Sequence, residues 1–177
     1  KVITADKHHI RRIEQHASVD ALTGLHNRRW MDLMFPREVN RSHCGKYPLS
    51  AFMIDLDHFK NINDRYGHLN GDLVLSSVAQ VITLSLRPTD MIVRYGGEEI
   101  AILLPNAENR TALEIAERLR ANIAAKEISL GNQTIHVTAS IGIASLCPND
   151  TLTSLLERAD KALYQAKNKG RNRCEFL

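Results

Sequence analysis

The chain has 177 residues, 44% of them hydrophobic, which suits one domain with a sizeable core. Its formal net charge is only +3, so the composition excludes the strongly basic class of protein, and we expect no nucleic-acid partner. No apolar run reaches membrane-spanning length, so we expect no direct membrane contact from this segment. The sequence starts at Lys1 rather than Met, so we expect a longer parent protein. Whether that parent protein carries a membrane anchor is left open.

Three cysteines, Cys44, Cys147 and Cys174, lie far apart and include no CxxC pair. An odd number of scattered cysteines argues against a disulfide framework and against a structural zinc site. We therefore expect a reducing compartment, the cytoplasm.

The first predicted element is a helical linker. Residues 1–18 carry apolar side chains near heptad spacing, and we interpret them as the end of a helix from a regulatory part, able to pair with its twin. The rest of the chain, residues 19–177, is predicted to be one domain. Asn27 is the predicted N-cap of a helix that extends to about Ser42. Residues 49–56 are almost entirely apolar, which predicts a central strand buried on both faces.

The middle of the chain alternates helices and strands. A short helix is predicted over residues 58–66, a loop over 67–71 and a longer helix over 72–86. Two β-branched runs, 91–95 and 100–104, flank Gly96-Gly97, which predicts a mid-sheet hairpin with positive φ at both glycines. A helix over 109–125, a strand over 134–144 and a helix over 151–169 follow. The order β-α-α-β-β-α-β predicts an α/β (α+β) fold.

Acidic side chains stand where predicted strands end. Asp55 ends the central strand, and Glu98 and Glu99 follow the two glycines of the hairpin. If these strands are neighbours, the acids converge at one edge of the sheet, where one or two carboxylates and substrate phosphates would suit Mg²⁺. A solvent-exposed hairpin tip is the alternative for the two glutamates, and a strand-end cap is the alternative for Asp55.

Basic groups follow the acids along the chain. The predicted helix that starts at residue 58 offers backbone N–H groups, and the C-terminal region offers Lys167 and Arg171. Acids, a metal and a basic clamp together are what phosphoryl or nucleotidyl transfer requires.

Four stretches, DALTGLHNRR, FMIDLDHFKNINDRYGHLNGD, RYGGEEI and ADKALYQAKNKGRN, resemble in their order the GGDEF domain, the catalytic domain of diguanylate cyclases. The resemblance covers residue 20 to about residue 173. It implies a palm-like, ferredoxin-like fold of the nucleotidyl cyclase type, with a mostly antiparallel central sheet flanked by helices. It also implies that two GTP condense to cyclic di-GMP with release of two pyrophosphates, in an active site formed between two antiparallel subunits of a homodimer. Mg²⁺ or Mn²⁺ is the implied cofactor, two ions per active site.

The resemblance places metal on Asp55, on the backbone carbonyl of Leu56 and on Glu98. Glu98 is also the implied acceptor of the 3′-hydroxyl proton, and Glu99 would assist with metal or proton. Lys60 would stabilise charge that develops on the transferred phosphate.

The implied nucleotide contacts lie on several segments. Asn63 and Asp72 match the guanine-reading pair, because a carboxylate suits the N1–H and N2–H₂ donors of guanine. Without the resemblance, these two residues would be interpreted as helix caps. The further implied contacts are the base-pocket residues Leu22 and His68, the phosphate-loop residue Phe59, Gly96 and Gly97 against the nucleotide, and Lys167 and Arg171 on the β- and γ-phosphates.

An inhibitory product site is implied by the tetrad RPTD. Arg87 and Asp90 form an RxxD pattern, and five residues separate Asp90 from Gly96, as in the family. Arg41 stands where relatives often have a second arginine for this site, and guanidinium groups suit both guanine edges and phosphates.

The chain departs from the family pattern at a few positions, and these departures leave the expected catalysis intact. Ile100 replaces the usual Phe of the motif, and Glu98 replaces Asp, an exchange that keeps a metal-binding carboxylate. Asp57 could serve as a metal ligand or as a structural hydrogen-bond acceptor, and we favour the structural role.

Two alternative functions share this fold. One is a catalytically silent receptor for GTP or cyclic di-GMP, and the other is a cyclase that makes a cyclic mononucleotide.

Overall fold

The computed structural model describes residues 18–177, so the predicted linker lies outside the described residues. The helices are α1 (Arg28–Gly45), α2 (Phe59–Tyr66), α3 (His68–Ser85), α4 (Asn109–Ala125) and α5 (Leu152–Asn168). The strands are β1 (Leu49–Leu56), β2 (Met91–Gly96), β3 (Glu99–Pro105), β4 (Ile128–Leu130), β5 (Gln133–Ile135), β6 (Ala139–Ser145) and β7 (Cys174–Phe176). Within this part of the chain, no helix combines the length and the apolar character that crossing a membrane requires.

Five strands form the main sheet, in the order β2-β3-β1-β6-β7. The pair β6–β7 is parallel, and the other neighbouring pairs are antiparallel. Strands β4 and β5 form a separate two-stranded hairpin. The prediction of a mixed α/β fold with a mostly antiparallel sheet flanked by helices is therefore confirmed.

Strand β1 is the central strand and is buried along its whole length, as its apolar sequence predicts. Phe52 and Ile54 lie in the core that α3 and α4 cover. Ala51 and Met53 lie in the second core, which α1 and α5 cover. Because side chains alternate along a strand, Asp55 faces the α5 side at the end of β1.

Gly142 of β6 allows α5 to lie close to the sheet. A Cβ atom at Gly142 would be 2.1 Å from the carbonyl oxygen of Ala159 and 2.1 Å from the amide nitrogen of Leu163, both on α5. Real Cβ atoms do not approach backbone this closely, so glycine is required at this contact. The contact sets the distance between α5 and the strand end that carries Asp55.

The outer edge of β2 is covered by the segment that precedes α1. The amide of His26 donates to the carbonyl of Ile92 at 3.3 Å, and the amide of Arg94 donates to the carbonyl of His26 at 2.8 Å. Asn27 caps α1, because its side chain accepts a hydrogen bond from the amide of Trp30 at 3.1 Å. This confirms the predicted N-cap.

Four expectations about local structure were wrong. The predicted loop at residues 67–71 is mostly helix, because α3 begins at His68 directly after Gly67, whose φ is 83°. The predicted strand 134–144 is divided between β5 and β6. The hairpin is not in mid-sheet, since β2 is an edge strand. Of the two hairpin glycines, only Gly97 has a positive φ, 49°, and Gly96 continues β2.

Candidate active site

The predicted acids meet at one end of the central strands. Asp55 of β1 and Glu99 of β3 are directly opposite cross-strand partners, and Glu98 precedes Glu99 in the turn. Nζ of Lys167, in the last turn of α5, lies 2.9 Å from Oδ2 of Asp55. The fold therefore brings three carboxylates and one ammonium group together.

The acids perturb one another. Burial raises the pKa of the Asp55 carboxyl, Lys167 opposes that rise by hydrogen bonding and by charge, and Glu98 and Asp57 raise it further. Burial also raises the pKa of Glu99, and the neighbouring charge of Asp55 adds to the rise. Neighbouring carboxylates thus disfavour the ionised forms of Asp55 and Glu99, and an added positive charge would relieve that repulsion.

The donor set fits a divalent cation of the magnesium type. Among residues 18–177, no three His, Cys, Asp or Glu side chains are grouped so that they could hold a metal by themselves. Magnesium needs no such group, since it binds through one or two carboxylates and completes its shell with water and phosphate oxygens. Asp55 and Glu98 supply hard oxygen donors of that kind. In this structure the Asp55 carboxylate is paired with the ammonium group of Lys167.

The predicted guanine-reading residues lie where α2 and α3 meet. Asn63 is half-buried on α2, and Asp72 is exposed on α3, next to Gly71. A Cβ atom at Gly71 would lie 1.8 Å from Oδ1 of Asn63 and 3.5 Å from Cζ of Phe59. Gly71 therefore leaves the space in which the Asn63 side chain sits, and sequence reasoning missed this role because the sequence of residues 67–71 predicts a loop.

The remaining predicted base-pocket residues lie around this contact. Phe59 is buried in the core that α3 covers, and Leu22 packs against the same core while half-buried. His68 is exposed at the first residue of α3.

The predicted phosphate contacts are exposed cations and an open turn. Lys60 is exposed in the first turn of α2, and Arg171 is exposed just after α5. A Cβ atom at Gly96 or at Gly97 would meet nothing within 4 Å, so the turn is accessible to a ligand.

Asp57 is hydrogen-bonded on both carboxylate oxygens. Oδ2 accepts from Oγ1 of Thr138 at 2.6 Å and from the amide of Asn172 at 2.9 Å. Oδ1 accepts from Oγ of Ser140 at 2.7 Å. The side chain is engaged in holding neighbouring segments, which supports the structural interpretation of Asp57.

Arg94 is a further residue near the turn, which sequence reasoning missed. Its Nη1 lies 3.0 Å from Oδ2 and 3.1 Å from Oδ1 of Asp20, and its Nε donates to the carbonyl of Gly97 at 3.0 Å. The arginine therefore connects the Asp20 turn to the hairpin. Its position, three residues before Gly97, was the available signal.

The predicted inhibitory residues share one cavity of about 500 Å³. Nη2 of Arg87 lies 2.9 Å from Oδ1 of Asp90, and Nη1 of Arg41 lies 3.3 Å from Oε2 of Glu38. The hydroxyl of Tyr47 donates to Glu38 at 2.7 Å. Two guanidinium groups thus border one cavity, whose other lining residues are His26, Trp30, Met34, Pro88, Thr89, Met91, Pro105 and Asn106.

Clustered acids at the end of the central strands, faced by basic side chains, suit chemistry in which a divalent cation and phosphate groups meet. The chain belongs to the family described as "Diguanylate cyclase, GGDEF domain", whose model matches residues 17–173.

Relatives and a solved structure agree with this assignment. Response regulator PleD from Caulobacter vibrioides is 43% identical over 159 residues, which are 88% of this chain and 35% of PleD. Diguanylate cyclase A from Treponema denticola is 46% identical over 136 residues, 76% of this chain and 37% of that protein. The coiled coil and GGDEF domain of DgcB from Caulobacter crescentus, solved in complex with c-di-GMP, superimposes with a TM-score of 0.93 at 30% identity, over 99% of this chain and 93% of that chain. The chain thus spans little more than a third of these two curated relatives.

Proposed function

We propose that this domain is a diguanylate cyclase, which condenses two GTP to cyclic di-GMP and two pyrophosphates as a homodimer. The observation that carries the proposal is the cluster of Asp55, Glu98 and Glu99 beside Lys167, with Asp55 and Glu99 paired across β1 and β3. Relatives named diguanylate cyclase support the same reaction. We also propose that the protein works in the cytoplasm.

In the proposed reaction, the 3′-hydroxyl oxygen of each GTP forms a bond to the α-phosphorus of the other. The bond from that phosphorus to the bridging oxygen of the β-phosphate breaks, and pyrophosphate leaves with the bonding electrons. Glu98, or Glu99 beside it, accepts the hydroxyl proton. One chain presents one set of acids, so the proposal needs two loaded chains, and the family resemblance implies that they face each other in antiparallel orientation.

Each group of predicted residues has a task in this scheme. Asp55, the carbonyl of Leu56 and Glu98 would hold Mg²⁺ or Mn²⁺, which when bound offsets negative charge on the phosphates. Asn63 and Asp72 bind the guanine edge, and Leu22, Phe59 and His68 border the base. Lys60, Lys167 and Arg171 stabilise the triphosphate, and the open turn at Gly96 and Gly97 lets it approach the backbone.

Product inhibition is proposed at the cavity that Arg41, Arg87 and Asp90 share. Two guanidinium groups at one cavity suit a ligand that carries both phosphates and guanine edges, as cyclic di-GMP does. The solved relative in complex with c-di-GMP supports a site for this product on the fold.

The first test is GTP turnover measured against protein concentration, with products separated by chromatography. A specific rate of cyclic di-GMP formation that climbs with concentration supports the enzyme and its dimeric site together. Glu98→Gln should lower this rate by at least about 100-fold, the usual scale for a general base. Absence of product from the nucleotide-free protein at every concentration, with cyclic di-GMP binding retained, would instead identify a receptor. A cyclic mononucleotide as product would refute the dinucleotide assignment.

The second test concerns inhibition. Arg87→Ala should relieve inhibition by added cyclic di-GMP and leave the initial rate unchanged. Arg110→Ala is the matched control, because Arg110 is an exposed arginine of α4 that pairs with Glu114 at 3.0 Å, outside the cavity. Equal inhibition of the Arg87 variant and the wild-type protein would contradict the proposed site.

A further inference from the structure

Asp57 holds the segment that carries the predicted phosphate ligand Arg171. The Asp57 carboxylate is only 5% exposed, and one of its three hydrogen bonds comes from the amide of Asn172, the residue directly after Arg171. The other two come from Thr138, directly before β6, and from Ser140, the second residue of β6. Because Asp57 follows Asp55 by two residues, this contact joins the strand end of the acid cluster to the loop after α5.

The backbone of that loop needs an anchor. Gly170, Arg171 and Asn172 have φ values of 115°, 63° and 46°, three successive residues with positive φ. Side chains other than glycine disfavour this region, so Arg171 and Asn172 adopt it only where neighbouring contacts hold them. The amide of Arg171 donates to the carbonyl of Ala166 at 3.0 Å, which fixes the start of the loop on α5.

The end of the loop is fixed by three contacts. The amide of Ile141 donates to the carbonyl of Arg173 at 3.0 Å, and Nη1 of Arg120 donates to Oδ1 of Asn172 at 2.8 Å. The contact to Asp57 differs from these two, because it is made by a buried carboxylate to the amide that adjoins Arg171. A charged acceptor forms the stronger kind of hydrogen bond.

The Arg171 side chain itself is left available. It is exposed, and the ion pairs between residues 18 and 177 do not include it. The backbone sets the point from which this side chain extends, so the region that the guanidinium can reach depends on what holds the loop. The nearby Lys167 differs, since it is already paired with Asp55.

We propose that Asp57 is a positioning residue for the triphosphate: it fixes the Gly170–Asn172 loop so that Arg171 points at the β- and γ-phosphates of GTP. This rests on the proposed function, in which Arg171 binds those phosphates. Asp57 acts through Arg171 and does not itself touch the nucleotide.

The test compares binding of GMP and of guanosine α,β-methylene triphosphate, which cannot release pyrophosphate, by calorimetry with Mg²⁺. In Asp57→Ala, the preference for the triphosphate over GMP should fall about tenfold, the loss of one charge-assisted contact, while GMP affinity stays unchanged. In Arg171→Ala the same loss is expected, and adding Asp57→Ala to it should cause no further loss. Asp57→Asn should lose only about threefold, because its amide oxygen remains an acceptor for Asn172.

The control is Ser50→Ala at the opposite end of β1, where the buried Ser50 hydroxyl donates to the carbonyl of Ala107 at 2.9 Å. It should lower stability and leave the triphosphate preference unchanged. If Asp57→Ala does not fold, Asp57→Asn tests the proposal instead. It should lower the triphosphate preference about threefold in the wild-type background and not at all in the Arg171→Ala background.

Three results would overturn the proposal: equal loss of affinity for both nucleotides in Asp57→Ala, losses that multiply in the double variant, or a wild-type protein without any triphosphate preference. Failure of the wild-type protein to make cyclic di-GMP would refute the proposed function alone. The binding comparison does not need turnover, so it would still test whether Asp57 positions Arg171.

Discussion

Gly71→Ala tests whether the contact between α2 and α3 sets the position of Asn63, the proposed guanine-binding residue. The new Cβ atom would lie 1.8 Å from Oδ1 of Asn63, so the Asn63 side chain must rotate away. Rotation out of a preferred rotamer costs about 0.5–1.5 kcal/mol. Replacing a helical glycine by alanine contributes about 1 kcal/mol in the opposite direction. The two effects nearly cancel, so we expect little change in the free energy of unfolding.

The Asn63→Ala background removes the clash and leaves the helix preference. The nearest remaining atom is Cζ of Phe59 at 3.5 Å, an ordinary contact. Gly71→Ala should then stabilise the domain by about 1 kcal/mol and raise its Tm by about 2–4 °C. Nucleotide binding should respond differently. Gly71→Ala alone should weaken GMP binding about tenfold, as much as Asn63→Ala does, and the double variant should be no weaker.

Thermal unfolding followed by circular dichroism and calorimetric titration with GMP measure both effects. Gln80→Ala, on the exposed side of α3, is the control and should change neither quantity. An equal Tm shift of Gly71→Ala in both backgrounds would refute the reasoning, because the clash with Asn63 would then contribute nothing. Unchanged GMP affinity in Gly71→Ala would separate Asn63 from guanine binding.

Three further predictions concern stability and reactivity. Gly142→Ala should destabilise the domain by at least about 3 kcal/mol in urea unfolding, since its Cβ would lie 2.1 Å from the amide nitrogen of Leu163; a smaller loss would mean that α5 shifts freely. Burial raises the pKa of Asp20, but hydrogen bonds outweigh burial and lower that pKa below 3.8. The stabilisation that Asp20 contributes is therefore present above pH 3.8 and is lost as the pH falls through the lowered pKa. Asp20→Asn should therefore flatten the acid limb of the stability curve, and an unchanged limb would contradict this. Burial raises the pKa of Cys174, so a thiol reagent should label the exposed Cys44 first, and equal rates would refute the difference.

The elements with strong local signals were predicted correctly from the sequence. The apolar run of β1 required burial on both faces, and the Asn27 side chain had few roles other than capping α1. The meeting of Asp55 with Glu99 followed once β1 and β3 were neighbours, because register places strand ends opposite each other.

The errors arose where tertiary contacts override local preference. Gly71 favours a loop by its own propensity, yet it lies inside α3, where the Asn63 side chain occupies the space that a Cβ atom would need. The hairpin of β4 and β5 turns at Gly131, whose φ is 61°, and its strands of three residues are too short for a periodic pattern. Strand β7 has three residues and depends on pairing with β6.

The support of the candidate site was the least predictable part. The Asp57 carboxylate and its three donors come from segments up to 115 residues apart, so no local spacing reveals them. Motif resemblance predicted which side chains contact a nucleotide, whereas the residues that hold those side chains emerge only from the folded arrangement.

The Arg94 side chain connects the hairpin turn to the first residues that the structure describes. Its guanidinium pairs with Asp20 and also donates to the carbonyl of Gly97, while the backbone of His26 is hydrogen-bonded along β2. The Asp20 turn and the hairpin turn that contains Glu98 are therefore joined by one side chain and by one strand edge. A displacement of the Asp20 turn would therefore move the hairpin turn beside the proposed catalytic acids directly.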